Sequence, residues 1–104
     1  MGKIEVVNIK GMVKGSYEYI GRGSVLGNKY IIGKDGNREE CIGLYKRWLW
    51  GKMFSGGEVF REVKRLVFKY YKNDVILGCY CKPKACHGDI VKACIIWGSK
   101  ELGL

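Results

Sequence analysis

A short, almost unbroken apolar run that follows a long amphipathic stretch constrains the fold of this chain most. The run, Val75–Cys79, has the composition of a central strand covered on both faces, as in parallel α/β sheets. Pro83 cannot donate a hydrogen bond to a ladder, so this strand is predicted to end near Cys81. A β-branched run at residues 4–9 predicts its parallel partner, because helices between the two can form the crossover.

Two shorter segments predict further strands. Residues 17–20 alternate aromatic and polar side chains, which is typical of a short strand. Residues 30–32 are aromatic and β-branched, and a turn sequence rich in glycine follows at 33–36.

Helical periodicity occupies the middle and the end of the chain. The first helix has a capping pair, Asn37 with Glu40, and Ser55 with Glu58 has the spacing of a capping box that opens a second helix. A third helix is predicted over residues 88–97, ended by the glycine that follows. The apolar stripe of the first helix comprises Cys41, Leu44, Tyr45, Trp48 and Leu49.

These elements predict a single α/β domain over residues 1–104. Its fold is a small mixed β-sheet of about four strands flanked by about three helices. A hydrophobic content of 47% is enough for a packed core, so the composition excludes a disordered chain.

Charge and cysteine usage narrow the possible partners. The chain has nineteen Lys and Arg and ten Asp and Glu, which gives a net charge of +9. This positive charge favours an anionic ligand, such as a nucleotide-like molecule or nucleic acid. No apolar run approaches the ~20 residues of a membrane span, and no signal peptide is recognisable. We therefore expect a cytoplasmic protein without a membrane partner, whose five cysteines are thiols, metal ligands or redox groups. Nothing in the sequence indicates an oligomeric state.

The segment from Gly78 to Asp89 is the densest in chemically active side chains. It contains three of the five cysteines, the only histidine and the only proline. The segment follows the central strand and precedes a helix, which is where ligands bind in open α/β sheets. Cys79 and Cys81 are two apart on a predicted strand, so their sulfurs are expected on one face.

Three interpretations of this Cys-His segment stay open. In the first, a Cys3His set made of Cys79, Cys81, Cys86 and His87 binds zinc. In the second, Cys86, His87 and Asp89 are catalytic residues for transfer to or from a phosphate- or sulfur-bearing ligand. In the third, the thiols are small core hydrophobes and the histidine caps the helix. A helix N-terminus and nearby lysines are expected to lower the pKa of Cys86.

A glycine-rich loop at residues 19–28 is the second candidate ligand site. Glycines let the backbone approach a phosphate closely, and an arginine can bind it with two hydrogen bonds. If this loop meets the Cys-His segment, the two form one cationic pocket. The expected ligand-binding residues are Arg22, Gly23, Ser24, Gly27 and Asn28, with Lys82 and Lys84 from the other segment.

A basic stripe lies on the polar face of the second helix. It comprises Arg61, Lys64, Arg65, Lys69 and Lys72. Such a stripe is either a solvated helix face or a surface that contacts phosphates of nucleic acid. No base-reading element accompanies it, so such binding is expected to be unspecific in sequence and sensitive to salt.

The motifs of both segments resemble those of the domain-of-unknown-function family numbered 4326, found in phages, bacteria and archaea. The matching residues are Tyr19 to Gly23, Gly27-Asn28 with Tyr30, Tyr45 with Trp48-Leu49, and Cys79 through Asp89. The chain departs from the family at Lys29, where proline is usual, and at Tyr80, where tryptophan is usual. The resemblance implies an α/β domain and a viral or mobile-element origin, but no activity.

The leading hypothesis is that both segments form one pocket that binds a phosphorylated or nucleotide-like ligand, and turnover of that ligand is an open extension of it. Whether the protein is an enzyme stays open. A nucleic-acid-binding accessory protein and a domain stapled by structural zinc are the alternatives.

Overall fold

The fold consists of three strands and three helices in a computed structural model that describes residues 2–82 and 84–104. Pro83, on which the predicted end of the central strand depends, lies outside the described residues. In chain order the elements are β1 (Ile4–Asn8), β2 (Glu18–Tyr19), α1 (Arg38–Ser55), α2 (Glu58–Lys72), β3 (Val75–Cys79) and α3 (Gly88–Glu101).

The sheet has β3 at its centre, in the order β1-β3-β2. Ile4 pairs with Val75 and Glu18 with Leu77, and both pairings are parallel. The predicted α/β class and the parallel pair of β1 with β3 are therefore confirmed. Because β3 is buried on both faces, its sequence needs no polar alternation.

Four details of the predicted sheet are wrong. The described strands number three instead of about four, and they form a parallel sheet where a mixed one was expected. Residues 30–32 form no strand, because Ile32 makes only an isolated bridge with Gly36, and the Ile31 carbonyl accepts hydrogen bonds from the Lys34 and Asp35 N–H groups of the turn that follows. β3 ends at Cys79, and beyond it the Asn8 side-chain amide, not a neighbouring strand, binds the backbone at residues 80 and 82.

The helix ends show how local chemistry and packing compete. Asn37 and Glu40 form the predicted capping box of α1. Ser55 does not cap α2, since it is still the last residue of α1, and two glycines with positive φ connect the helices. Gly98 does not stop α3 either. A Cβ there would lie 3.0 Å from Val67, so this glycine lets α2 and α3 approach closely.

One hydrophobic core joins the sheet to all three helices. Val75 and Leu77 of β3 are fully buried against it, as are Leu49 of α1 and Val91 of α3. Within the described residues, no helix combines the length and apolarity that crossing a bilayer requires.

Tyr45 ties α1 to the glycine-rich loop. Its hydroxyl donates a 2.6 Å hydrogen bond to the Leu26 carbonyl, and both residues are buried. Its ring also packs edge-to-face on His87, with centroids 5.0 Å apart. Burial raises the pKa of Tyr45 above its ordinary value, so the hydroxyl stays protonated and remains a donor.

Replacing Tyr45 with phenylalanine should destabilise the fold, because the buried Leu26 carbonyl loses its donor. We expect a loss of about 1–3 kcal/mol in the free energy of unfolding, measured by urea denaturation. Tyr71→Phe is the matched control, since that ring is 46% exposed, and it should change stability by less than about 0.5 kcal/mol. Equal effects of the two substitutions would contradict this role for the buried hydroxyl.

Candidate functional site

The glycine-rich loop and the Cys-His segment meet in one cavity of about 210 Å³. We call it the thiol pocket. Its walls include Arg22 and Asn28 from the loop and Cys79, Cys81, Cys86 and His87 from the segment. The two segments are far apart in sequence, and they meet because β2 and β3 are parallel neighbours that deliver them to the same sheet edge.

Three sulfurs converge at this edge. The Sγ atoms of Cys79, Cys81 and Cys86 all lie within 4.8 Å of one another, so these cysteines could hold a metal ion. Cys79 ends β3, Cys81 follows two residues later, and Cys86 comes just before α3. The Gly88 N–H at the start of α3 donates a 3.3 Å hydrogen bond to the Cys86 sulfur.

The environment of Cys86 overturns one expectation about its acidity. The side chain is only 1% exposed, and its sulfur lies 3.0 Å from that of Cys79. Burial and the contact with Cys79 raise the pKa of Cys86, and the Gly88 N–H offsets this only in part. The prediction that this pKa is lowered is therefore wrong. Without a bound metal the Cys86 thiol stays protonated, and a protonated thiol is a poor nucleophile.

His87 connects the two segments through its ring. Its Nε2 lies 2.6 Å from the Ile20 carbonyl, which can only accept, so this nitrogen donates and Nδ1 carries the lone pair. Nδ1 is 3.7 Å from the Cys86 sulfur. Burial lowers the pKa of His87, which favours the neutral ring. The side chain makes no capping hydrogen bond to α3, contrary to the third interpretation.

Asp89 and the two lysines lie outside the pocket walls. The Asp89 carboxylate pairs with the Lys82 ammonium at 3.0 Å, and this contact raises the pKa of Lys82. Lys84 is exposed and does not line the cavity. The structure therefore brings Cys86 and His87 together but directs Asp89 to Lys82 instead of to the imidazole.

The remaining loop residues shape the pocket without lining it. The Ser24 hydroxyl and N–H both donate to the Gly21 carbonyl, and the Gly27 N–H donates to the Ser24 carbonyl. Gly23 has a φ of +93°, a conformation that glycine adopts without strain. Of the five predicted loop residues, only Arg22 and Asn28 reach the cavity wall.

Sequence reasoning missed Arg38 and three tyrosines. Arg38 is the first residue of α1, and its guanidinium lines the pocket while donating to the Ala85 carbonyl at 3.1 Å. Tyr19, Tyr30 and Tyr80 also line the pocket. All three tyrosines lie within the motifs that resemble the family, so those motifs could have identified them. No sequence pattern indicated a role for Arg38.

The basic stripe of α2 is partly neutralised. Arg65 pairs with Glu18 at 2.6 Å and with Glu62 at 2.8 Å, and Lys69 pairs with Glu18 at 2.6 Å. Two of the five stripe residues are thus bound to acidic side chains, one of which belongs to β2. Nucleic-acid binding by this face stays a prediction.

The chain belongs to a family of proteins of undetermined role. It matches the family described as "Domain of unknown function (DUF4326)" over residues 7–97, which confirms the resemblance and includes every wall of the thiol pocket. A relative from Enterobacteria phage T4, "Uncharacterized 12.4 kDa protein in nrdA-td intergenic region", is 40% identical over 73 residues. That alignment covers 69% of this chain but only 60% of the relative. No solved structure matches the chain.

Glu18 should make stability depend on pH in the acidic range. Its hydrogen bond to Arg65, together with Lys69, lowers its pKa below the ordinary 4.5. The folded state therefore binds a proton at Glu18 less readily than the unfolded state does. The ion pairs of Glu18 stabilise the fold above about pH 4.5, and this stabilisation is lost as pH falls through the lowered pKa. Glu18→Gln should flatten the free energy of unfolding between about pH 6 and pH 3, measured by urea denaturation.

The control for this prediction is Tyr71→Phe, which changes an exposed ring and no carboxyl group, so it should keep the wild-type pH slope over the same pH range. An unchanged slope in Glu18→Gln would show that the pairs with Arg65 and Lys69 contribute nothing measurable.

Proposed function

We propose that this protein binds a small phosphorylated or nucleotide-like ligand in the thiol pocket. The observation that carries the proposal is the presence of two guanidinium groups and three tyrosine rings in the walls of one cavity. Guanidinium groups bind phosphates in a bidentate manner, and tyrosine rings stack on planar groups.

The anionic end of the ligand is assigned to Arg22 and Arg38. Within the described part of the chain, neither side chain pairs with a carboxylate. Arg38 is held in place by the Ala85 carbonyl through one nitrogen, which leaves its other donors for a ligand. A cation that is positioned but not neutralised supports an anion site more strongly than net charge does.

The planar part of the ligand is assigned to the tyrosines. Tyr19 and Tyr80 meet edge-to-face with centroids 6.5 Å apart, and Tyr80 is 65% exposed. The Tyr19 hydroxyl donates to the Arg22 carbonyl, so the aromatic wall and the cationic wall are linked. A cavity of about 210 Å³ is smaller than the roughly 300–1,000 Å³ of pockets for drug-sized ligands, so it would receive one end of a nucleotide.

Zinc binding is a second candidate function, favoured by the three converging sulfurs. Thiolate ligands select zinc or copper(I) among the common biological metals. The residue types therefore fit zinc, and the two candidate functions are compatible because the sulfurs line the same pocket.

Neutralising either guanidinium should weaken ligand binding without unfolding the protein. The four ribonucleoside 5′-monophosphates and inorganic phosphate are the probes, and calorimetry and the thermal-unfolding midpoint are the readouts. Arg22→Gln and Arg38→Gln should each lower affinity roughly 10-fold or more, the usual size of a charge-assisted hydrogen bond. Arg22→Lys should recover only part of it, since lysine lacks the bidentate fork.

Arg61→Gln on the exposed face of α2 is the matched control and should bind as wild type does. The proposal fails if no nucleotide raises the thermal midpoint at millimolar concentration. It also fails if Arg61→Gln weakens binding as much as the pocket variants, because bulk charge would then explain the attraction.

A further inference from the structure

The three pocket cysteines are placed by different elements of the fold. The Cys79 sulfur is fixed by the end of a buried strand and the Cys86 sulfur by the first turn of α3. Cys81 follows the strand and is only half-buried, so its sulfur has room to adjust. Donors supplied by rigid elements on two sides are what a metal site requires.

A fourth protein ligand is missing from this set among the described residues. His87 is not one of the side chains whose ligand atoms all lie within 4.8 Å of one another, although its Nδ1 lies 3.7 Å from the Cys86 sulfur. Cys41 also lines the pocket, but its thiol lies 3.7 Å from the Gly36 carbonyl and is outside the set. Asp89 is paired with Lys82.

The number of protein ligands separates two classes of zinc site. Structural sites are closed by four protein ligands, whereas catalytic sites have three and keep one position for water or substrate. Here all three cysteines line a cavity that Arg22 and Arg38 also line. A position left free at the ion would therefore open towards the proposed anion site.

The charge of such a centre can be accommodated. Zinc with three thiolates carries a net charge of −1. The Gly88 N–H donates a hydrogen bond to the Cys86 sulfur. Backbone donors at a helix start stabilise thiolates in the same way as they stabilise other anions.

We propose that Cys79, Cys81 and Cys86 bind one zinc ion as thiolates and leave its fourth coordination position open to the thiol pocket. Each thiol releases its proton to solvent when the ion binds, and no electrons are transferred. The open position accepts a donor atom of the pocket ligand, and only this last step rests on the proposed function. Such a centre can bind a ligand at the ion, whereas a structural zinc site is closed by four protein ligands.

The sulfur positions need only a small rearrangement for this. Sulfurs of a tetrahedral zinc site lie about 3.8 Å apart, given Zn–S bonds of about 2.3 Å. The Cys79 and Cys86 sulfurs are 3.0 Å apart and would have to separate slightly.

Metal titration of the full-length protein tests the ligand set. Reduced, metal-free protein is titrated with Zn(II) and Co(II) against a chromophoric chelator, with a phosphine reductant, because a thiol reductant would itself bind the ion. We expect one ion per chain, and Cys79→Ser, Cys81→Ser and Cys86→Ser should each weaken binding on the order of 100-fold, because each removes one of three ligands. Cys94→Ser is the matched control, since that thiol is buried outside the set, and it should bind as wild type does.

The open position is tested with His87→Gln and with added donors. His87→Gln should weaken Zn(II) binding by no more than about 10-fold, the lower end of the range for an indirect effect. Imidazole and the ribonucleotides, added to the Co(II) protein, should change its visible absorption bands in a saturable way. Circular dichroism confirms that each variant is folded.

The proposal is overturned if the wild-type protein binds no ion. It is also overturned if His87→Gln loses the ion as the serine variants do while imidazole leaves the Co(II) bands unchanged, since the site is then a closed Cys3His staple. Suppose that imidazole changes the bands, while no nucleotide changes them and none raises the thermal midpoint. The proposed function then fails, and the open metal centre stands. If nucleotides bind to a protein that takes up no metal, the open metal centre fails and the proposed function stands.

Discussion

Parallel pairing on both sides of β3 is the constraint on which the rest of the structure depends. β1 and β2 run alongside β3 in the same direction, so all three strands end at one edge of the sheet. Loops that follow parallel strands gather at that edge, which brings the glycine-rich loop and the Cys-His segment together. The burial of Val75 and Leu77 holds β3 in register, and with it the position of Cys79.

Buried polar contacts join the two halves of the thiol pocket. The His87 ring binds the Ile20 carbonyl, and the Tyr45 hydroxyl binds the Leu26 carbonyl, so the loop is held from two sides. Both side chains are buried, and losing either bond would leave a carbonyl without its donor. The pocket therefore adjoins the hydrophobic core, and substitutions of its buried wall residues are expected to affect stability as well as binding.

Local patterns and general topology predict much of this architecture. The central strand, the Asn37 cap and the meeting of the two segments follow from composition, capping chemistry and the parallel-sheet rule. The failures have tertiary or competing local causes. Residues 30–32 are bonded to the turn that follows them instead of to a neighbouring strand, and Ser55 belongs to the helix before the one it was expected to cap. The burial that raises the pKa of Cys86, and the approach of Arg38 to the pocket, arise only from packing.

The placement of the single imidazole has a practical consequence for spectroscopy. His87 is the only histidine of the chain, and its Nε2 proton is directed at a carbonyl in a site with little solvent. Such a proton exchanges slowly with water, and its nuclear magnetic resonance signal falls far downfield of the crowded amide region. This one resonance thus reports on the contact between the glycine-rich loop and the Cys-His segment. Binding of a ligand or metal ion in the thiol pocket can be followed through it without isotopic labelling or an attached dye.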